Sequence, residues 1–155
     1  MRTIRFRGQD EDGKWLYGDL RQRMGYWPAI IESYCTDEGK VGYREIAVKE
    51  GTVGQFTSLR DKNGRDIYEG DILECVSWNE FWSVDGKPLE QLRRRLLVGH
   101  RHGSFVCIER QQAPFDDKVW DIISNQDCII IGNIYDNPEL WPKRQPFECN
   151  FEDSL

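Results

Sequence analysis

An all-β or β-dominated fold is what this sequence predicts, of a small barrel-like or SH3-like kind with at most one or two short helices. Three observations lead there. Apolar and polar residues alternate over short segments, the period of two that a half-buried strand needs. Groups of Gly, Asp, Asn and Pro punctuate those segments at short intervals. Aromatic residues make up 12% of the 155 residues and include six Trp, a bias toward pleated, half-buried surfaces.

The first strand is read over Thr3 to Arg7, with Ile4 and Phe6 on one face. Asp10-Glu11-Asp12-Gly13 forms a turn, and Lys14 to Leu20 returns as its partner. Tyr26 to Tyr34 is the next strand, and Pro28 places it at an edge or a start. Thr36 to Lys40 is a turn, and Arg44 to Lys49 is a short strand.

Gly54 to Cys75 carries the densest set of backbone instructions. Asp61-Lys62-Asn63-Gly64 has Asp first and Gly fourth, the signature of a type I turn. It joins Gln55–Leu59 to Arg65–Tyr68 as a hairpin. Gly70 permits a sharp bend after Glu69, and Asp71 can hold that bend through its own backbone. Ile72 to Trp78 follows as a strand, with Ile72, Glu74 and Val76 on one face and Leu73, Cys75 and Ser77 on the other. Asp61, Asn63, Gly64, Gly70 and Asp71 are therefore read as structural turn residues. Asp66 and Glu69, not needed for turn geometry, are expected to be solvated.

After Trp78 the pattern is less regular. Pro88 opens PLEQLRRRLL, where Leu89, Leu92 and Leu96 sit at helical spacing. A short helix competes there with a strand over Arg95 to Arg101. Phe105 to Arg110 is a strand, Lys118 to Ser124 fits helix or strand, and Cys128 to Ile134 is a buried strand. Asp136-Asn137-Pro138 is a turn. An extended tail begins at about Glu139, and its Leu140, Trp141, Phe147 and Phe151 can dock on this chain or a neighbour. Residues 1–155 read as a single domain.

Charged residues are 31% and hydrophobic residues 39%, with mean hydropathy −0.68. That is a globular composition, neither disordered nor membrane-like. Net charge is −6, which opposes a function built on phosphate contacts. The N-terminus lacks an apolar signal core and no apolar run approaches 18 residues, so no membrane partner is expected. The five Cys are far apart, odd in number and lack C-x-x-C. They read as reduced thiols of a cytoplasmic protein, mostly core residues.

Four groups could carry chemistry. His100 and His102 share a face if they lie on a strand and could reach one metal, yet a zinc site needs about four ligands; a polar hairpin end is the plainer reading. Asp61, Asp66, Glu69 and Asp71 could act in acid–base work, but turn formation explains Asp61 and Asp71. An EF-hand centred on Gly64 fails, because Leu59 and Gly70 would fall at its first and twelfth positions. Arg93, Arg94 and Arg95, with Arg101 nearby and Trp78, Phe81, Trp82 and Phe105 interleaved, could bind a nucleic-acid backbone and stack bases; a solvated basic face is the alternative. A Cys–His pair has no sequence signature here. Phosphate loops, G-x-S-x-G, H-E-x-x-H and a dinucleotide fingerprint are absent, and no cofactor is predicted.

Three segments carry a family resemblance: IRFRGQDEDGKWLYGDL, DKNGRDIYEGDIL and IIIGNIYDNPELW. In that order they resemble the YopX family of bacteriophages and prophages, over nearly the whole chain. The stretch from about Glu80 to Arg93 departs from the family's usual length. The resemblance implies a small, mainly β protein of phage origin in a bacterial host cell, with no established activity and no catalytic residues to carry over. The expected function is a non-enzymatic protein-interaction or assembly module, a homo-oligomer with an unidentified protein partner. The alternative is a nucleic-acid-binding accessory factor using the Arg93–Arg95 region.

Overall fold

Eleven strands in two antiparallel sheets organise the described residues of the computed structural model, which are 3–78, 91–101, 103–109, 117–118 and 127–141. The first sheet holds β1 (Phe6–Gln9), β2 (Trp15–Arg21), β3 (Ala29–Cys35), β4 (Val41–Ala47), β5 (Gly54–Arg60) and β6 (Asp66–Tyr68), in the order β4-β3-β2-β1-β5-β6. The second holds β7 (Asp71–Trp78), β8 (Gln91–Arg101), β9 (Ser104–Glu109), β10 (Asp117–Lys118) and β11 (Asp127–Asn133), in the order β10-β9-β8-β7-β11. Two 3-10 turns, Glu50–Thr52 and Pro138–Leu140, complete the described elements. The protein is β-dominated, and its two sheets are not closed into a barrel.

Turn chemistry sets much of the first sheet. Gly13 donates its N–H to Asp10 O at 3.1 Å, and Asp10 N–H reaches Lys14 O at 3.0 Å, closing β1 onto β2. Gly64 N–H reaches Asp61 O at 2.9 Å with Gly64 at φ +79°, a conformation that costs glycine little. Strand ends differ from expectation by a few residues. β1 starts at Phe6, β3 starts at Ala29 just after Pro28, and β4 begins at Val41. The register between β5 and β6 shifts between Phe56 and Arg60, where Ser58 takes φ +70°.

The helix read into PLEQLRRRLL does not form over its described part. Gln91–Arg101 is a strand paired on one side with β7 and on the other with β9. Two neighbouring strands satisfy its backbone, and tertiary pairing overrides the leucine spacing. Residues 79–90 lie outside the described residues, as do most of 118–124 and the tail beyond Trp141.

Two apolar clusters form the core. Ile67, Leu73, Cys75, Leu96, Val98, Cys107 and Cys128 make the larger, with Leu59, Phe105 and Ile130 against it. Leu16, Ile30 and Val48 make the smaller. The expectation that the cysteines are all reduced thiols is corrected. Cys75 and Cys128 are directly opposed on β7 and β11, with Cα atoms 4.1 Å apart, and form a disulfide. Their separation of 53 residues hid the pairing, which only the strand register reveals. It also removes the cysteine argument for a reducing compartment. Cys107 is packed in the core, and Cys35 is exposed at the end of β3. No helix among the described residues is long and apolar enough to cross a membrane.

Gly70 is where the chain leaves the first sheet for the second. Its N–H reaches Val98 O at 2.9 Å, and its carbonyl accepts Ile134 N–H at 3.0 Å. It sits at φ +83°, and an added Cβ would lie 2.8 Å from the Tyr135 ring. Gly64 has the same backbone sign but open space around it. Gly64→Ala should therefore cost about 1 kcal/mol from backbone strain alone. Gly70→Ala should cost about 2–3 kcal/mol, because overpacking adds to the strain. Urea unfolding midpoints of the two variants check this order; equal midpoints would refute the role given to Gly70.

Candidate functional site

Arg7 on β1 is buried, with 6% of its surface exposed. The Gln9–Trp15 register of the β1–β2 hairpin carries the Trp15 ring over it. Its guanidinium carbon lies 4.6 Å from the Trp15 ring centre and 5.0 Å from that of Tyr68. One guanidinium nitrogen lies 2.7 Å from Asp71 Oδ1 and donates to Glu69 O at 2.9 Å. Asp71 Oδ2 accepts the Tyr68 N–H at 2.8 Å. Burial pushes the Asp71 carboxyl above the usual carboxylate range, and Arg7 pulls it back.

Arg5 sits one β-period away on the same face. Its guanidinium lies over Phe56 at 5.3 Å and Tyr68 at 5.8 Å, and it pairs with Asp66. Arg60 holds the other oxygen of Asp66 at 2.9 Å. Asp136, just after β11, closes the third side. It accepts hydrogen bonds from Trp15 Nε1 at 2.7 Å, Gln9 Nε2 at 2.6 Å and Asn133 Nδ2 at 2.8 Å. Burial alone would raise the Asp136 carboxyl; these donors outweigh it and hold the group low. Asn133 Oδ1 in turn accepts the N–H groups of Tyr135 and Asp136 at 2.9 Å.

These groups border a cleft of about 710 Å³. Its lining comes from three stretches of chain: Arg5 to Tyr17, Arg65 to Asp71, and Ile130 to Asp136. Each stretch falls inside one of the three segments that carry the family resemblance. The aspartates at its wall are all engaged as acceptors. Arg5 Nε and Arg7 Nε are buried with no hydrogen-bond acceptor among the described residues, and the buried Tyr68 hydroxyl lies beside the Arg5 side chain, which hydrogen-bonds it. Burial raises the Tyr68 hydroxyl's pKa, and the nearby Arg5 charge opposes that shift.

Asn63 and Gly64 lie in the connection between β5 and β6 and Gly70 in that before β7, while Asp71 is the first residue of β7. Asp61 Oδ1 accepts the N–H groups of Asn63 and Arg65, both at 2.9 Å. Its second oxygen does more than the turn requires: it accepts the Ile130 N–H at 3.0 Å and pairs with Arg65 at 2.7 Å. Desolvation would raise Asp61, but these hydrogen bonds lower it. The expectation that Asp66 and Glu69 are merely solvated is corrected. Asp66 is clasped by two arginines, and Glu69 Oε2 accepts the Gln55 N–H at 2.8 Å.

The other candidates are not drawn together. Strand alternation in β8 puts Arg93 and Arg95 on one face and Arg94 on the other. Arg93 pairs with Glu74 at 3.1 Å, and Arg95 donates to Leu140 O at 3.3 Å. Arg101 lies eight residues beyond Arg93, about 26 Å along the strand. His100 is exposed, its ring 5.4 Å from that of Phe105 and edge-on to it. His102 lies outside the described residues. No group of three or more metal-ligating side chains occurs among the described residues. The sequence reading missed Arg5, Arg7, Trp15, Tyr68, Asn133 and Asp136. Their one signal was the alternation that sets Arg5 and Arg7 on the strand face opposite Ile4 and Phe6.

Removing one partner of the Arg7–Asp71 pair leaves a buried charge uncompensated. Arg7→Ala and Asp71→Ala should each cost about 3–5 kcal/mol, and the double variant clearly less than the sum. Additive losses in chemical denaturation would show that the two residues act separately. The carboxylates also set an acid response. Asp61 and Asp136, held low, contribute stability at neutral pH that is lost as pH falls through their folded pKa values. Asp71 has the opposite sign: its raised pKa lets the folded chain take up a proton first, so acid relieves a cost. Urea midpoints followed from neutral pH to about 4 should fall in the parent, fall less in Asp61→Asn, and fall more steeply in Asp71→Asn.

The structure is similar to the crystal structure of protein EF1440 from Enterococcus faecalis, with a TM-score of 0.52 and 22% identity, over 90% of this chain and 99% of that chain. At that identity the likeness is one of fold. A family model, YopX protein, matches residues 5–141, a span that contains every residue lining the cleft. The chain belongs to the YopX family.

Proposed function

We propose that this chain is a non-enzymatic protein-interaction or assembly module of phage or prophage origin, and that it associates with itself through the outer face of β3 and β4. The observation that carries this reading is an exposed apolar band beside an open sheet edge. The β3–β4 register puts Cys35 with Val41, Ser33 with Tyr43 and Ala29 with Ala47 on one face. Ile30 and Ile46 occupy the other face and pack into the smaller core cluster. Tyr43 is 71% exposed and Val41 59%; Trp27 at 70% and Tyr26 at 74% lie in the β2–β3 connection, at the Ala29–Ala47 end of the same strands. Tyr26, Trp27, Ala29 and Ala47 line one shallow hollow with the Arg21–Glu45 ion pair. Among the described residues no strand pairs with the outer side of β4. Open edges and exposed apolar patches are features that association covers.

The nucleic-acid reading ranks below this one. Its arginines are split between two faces, and Arg93 and Arg95 are already engaged within the chain. Light scattering should give a mass above the 18.3 kDa of one chain. Tyr43→Asp with Trp27→Asp should return it to that mass without lowering the melting temperature. A strictly monomeric parent would overturn the proposal. Salt-sensitive DNA binding that is lost when Arg93, Arg94 and Arg95 become Ala would put the accessory-factor reading in its place.

A further inference from the structure

We propose that β4 pairs antiparallel with β4 of a second copy of this chain, about a two-fold axis at Tyr43, so that one sheet runs through both chains. This pairing rests on the self-association proposed above and gives it a geometry, strand edge on strand edge.

The two sheets have four edges, and among the described residues three of them are closed or short. β6 spans three residues and β10 two. β11 is longer, but the β5–β6 turn caps it: Lys62 N–H reaches Cys128 O at 2.9 Å, Asp61 accepts the Ile130 N–H at 3.0 Å, and Arg65 donates to Ile130 O. The β11 register also breaks between Ile130 and Gly132. β4 has none of these devices. It runs seven residues, VGYREIA, without Pro, Lys or a break in its register with β3. Its two charges are matched within the chain, Arg44 by Glu32 and Glu45 by Arg21. A long, regular edge without such protection is a template for another strand.

The backbone fixes which groups this edge offers. Thr36 N–H reaches Lys40 O at 2.8 Å, and Val48 N–H reaches Pro28 O at 2.9 Å. Both pairs continue the β3–β4 register, in which bonded pairs alternate with non-bonded ones. Gly42, Arg44 and Ile46 therefore bond to β3, while Val41, Tyr43, Glu45 and Ala47 turn N–H and C=O outward. A second β4, turned about a two-fold axis, offers the same outward set. Charge then selects the register. An axis at Arg44 or Glu45 sets that charge against its own copy, and an axis at Gly42 sets Arg44 against Lys40; opposed like charges destabilise a strand pair. An axis at Tyr43 sets Arg44 against Gly42, Glu45 against Val41, and the two Tyr43 rings side by side. No like charges meet, and Val41 and Tyr43, 59% and 71% exposed in one chain, come together along the seam.

The test joins light scattering to amide hydrogen exchange on the full-length chain. The mass should be twice the 18.3 kDa of one chain and climb no further with concentration. Among the outward amides, Val41, Tyr43 and Glu45 should exchange slowly, because they bond across the axis, and Ala47, beyond the overlap, fast. Glu45→Pro removes an outward N–H that β3 does not use. It should return the mass to one chain while the Gly42, Arg44 and Ile46 amides stay protected, which shows the hairpin intact. Glu45→Gln keeps that N–H and should stay paired. Should Glu45→Pro fail to fold, the exchange pattern of the parent decides. A monomeric parent would overturn both this pairing and the association it rests on. A parent of twice the mass whose four outward amides all exchange fast leaves outer-face association standing and overturns the edge pairing. Four slow amides, a mass that climbs past two chains, or a folded Glu45→Pro that stays paired would each overturn it as well.

Discussion

A guanidinium packed against two aromatic rings, with one carboxylate against it, is the interaction on which this structure turns. Arg7 belongs to the first sheet and Asp71 opens the second. Withdrawing both charges from water costs several kcal/mol per ion before their attraction offsets it. The pair therefore contributes less through net energy than through intolerance of any other arrangement. Contacts of the guanidinium with the Trp15 and Tyr68 rings add roughly 0.5–2 kcal/mol each. The Glu69 carbonyl and the Tyr68 N–H occupy a remaining donor and acceptor. A shift of either sheet by a single residue would strand a charge in the interior.

That constraint explains why the turn between β6 and β7 is so short. Glu69 and Gly70 are the whole connection. The turn must bring one Asp71 oxygen to the Tyr68 N–H and the other to Arg7, leave the Glu69 carbonyl facing Arg7, and still deliver Gly70 to Val98 and Ile134. A residue with a side chain at Gly70 meets both a disfavoured backbone region and the Tyr135 ring. Turn, ion pair and inter-sheet hydrogen bonds are thus one structural unit, and they share their residues with the cleft.

Local features of this unit were legible in the sequence, and distant ones were not. Gly64 and Gly70 announce positive φ because only glycine adopts it freely, and Asp71 reaches a backbone N–H three residues away. Such instructions need no knowledge of the rest of the chain. Arg7 meets Asp71 across 64 positions of sequence, Asp61 meets Ile130 across 69, and Cys75 meets Cys128 across 53. Each depends on strand order and register, which alternation alone does not determine. Arg5 and Arg7 were passed over for a related reason. Period-two alternation marks two faces but does not say which is wet, and here the charged face is the one covered by Trp15 and Tyr68. The leucine spacing failed differently: Leu89, Leu92 and Leu96 satisfy a helical period in the sequence, while β8 buries Leu96 and Val98, two positions apart on one face.

The coincidence of motif and cleft bears on how a family match should be interpreted. Three segments carry the likeness, and all three converge on one charged joint between sheets. A purely structural account covers much of this: Asp61, Asp71, Asp136 and Asn133 each satisfy backbone or side-chain donors that would otherwise be orphaned. The donors follow the same logic: the Arg5 and Arg7 guanidiniums lie against Phe56, Trp15 and Tyr68 and turn N–H groups to Asp66, Asp71 and the Glu69 carbonyl. The residues that border the cleft are therefore the ones that hold the two sheets together.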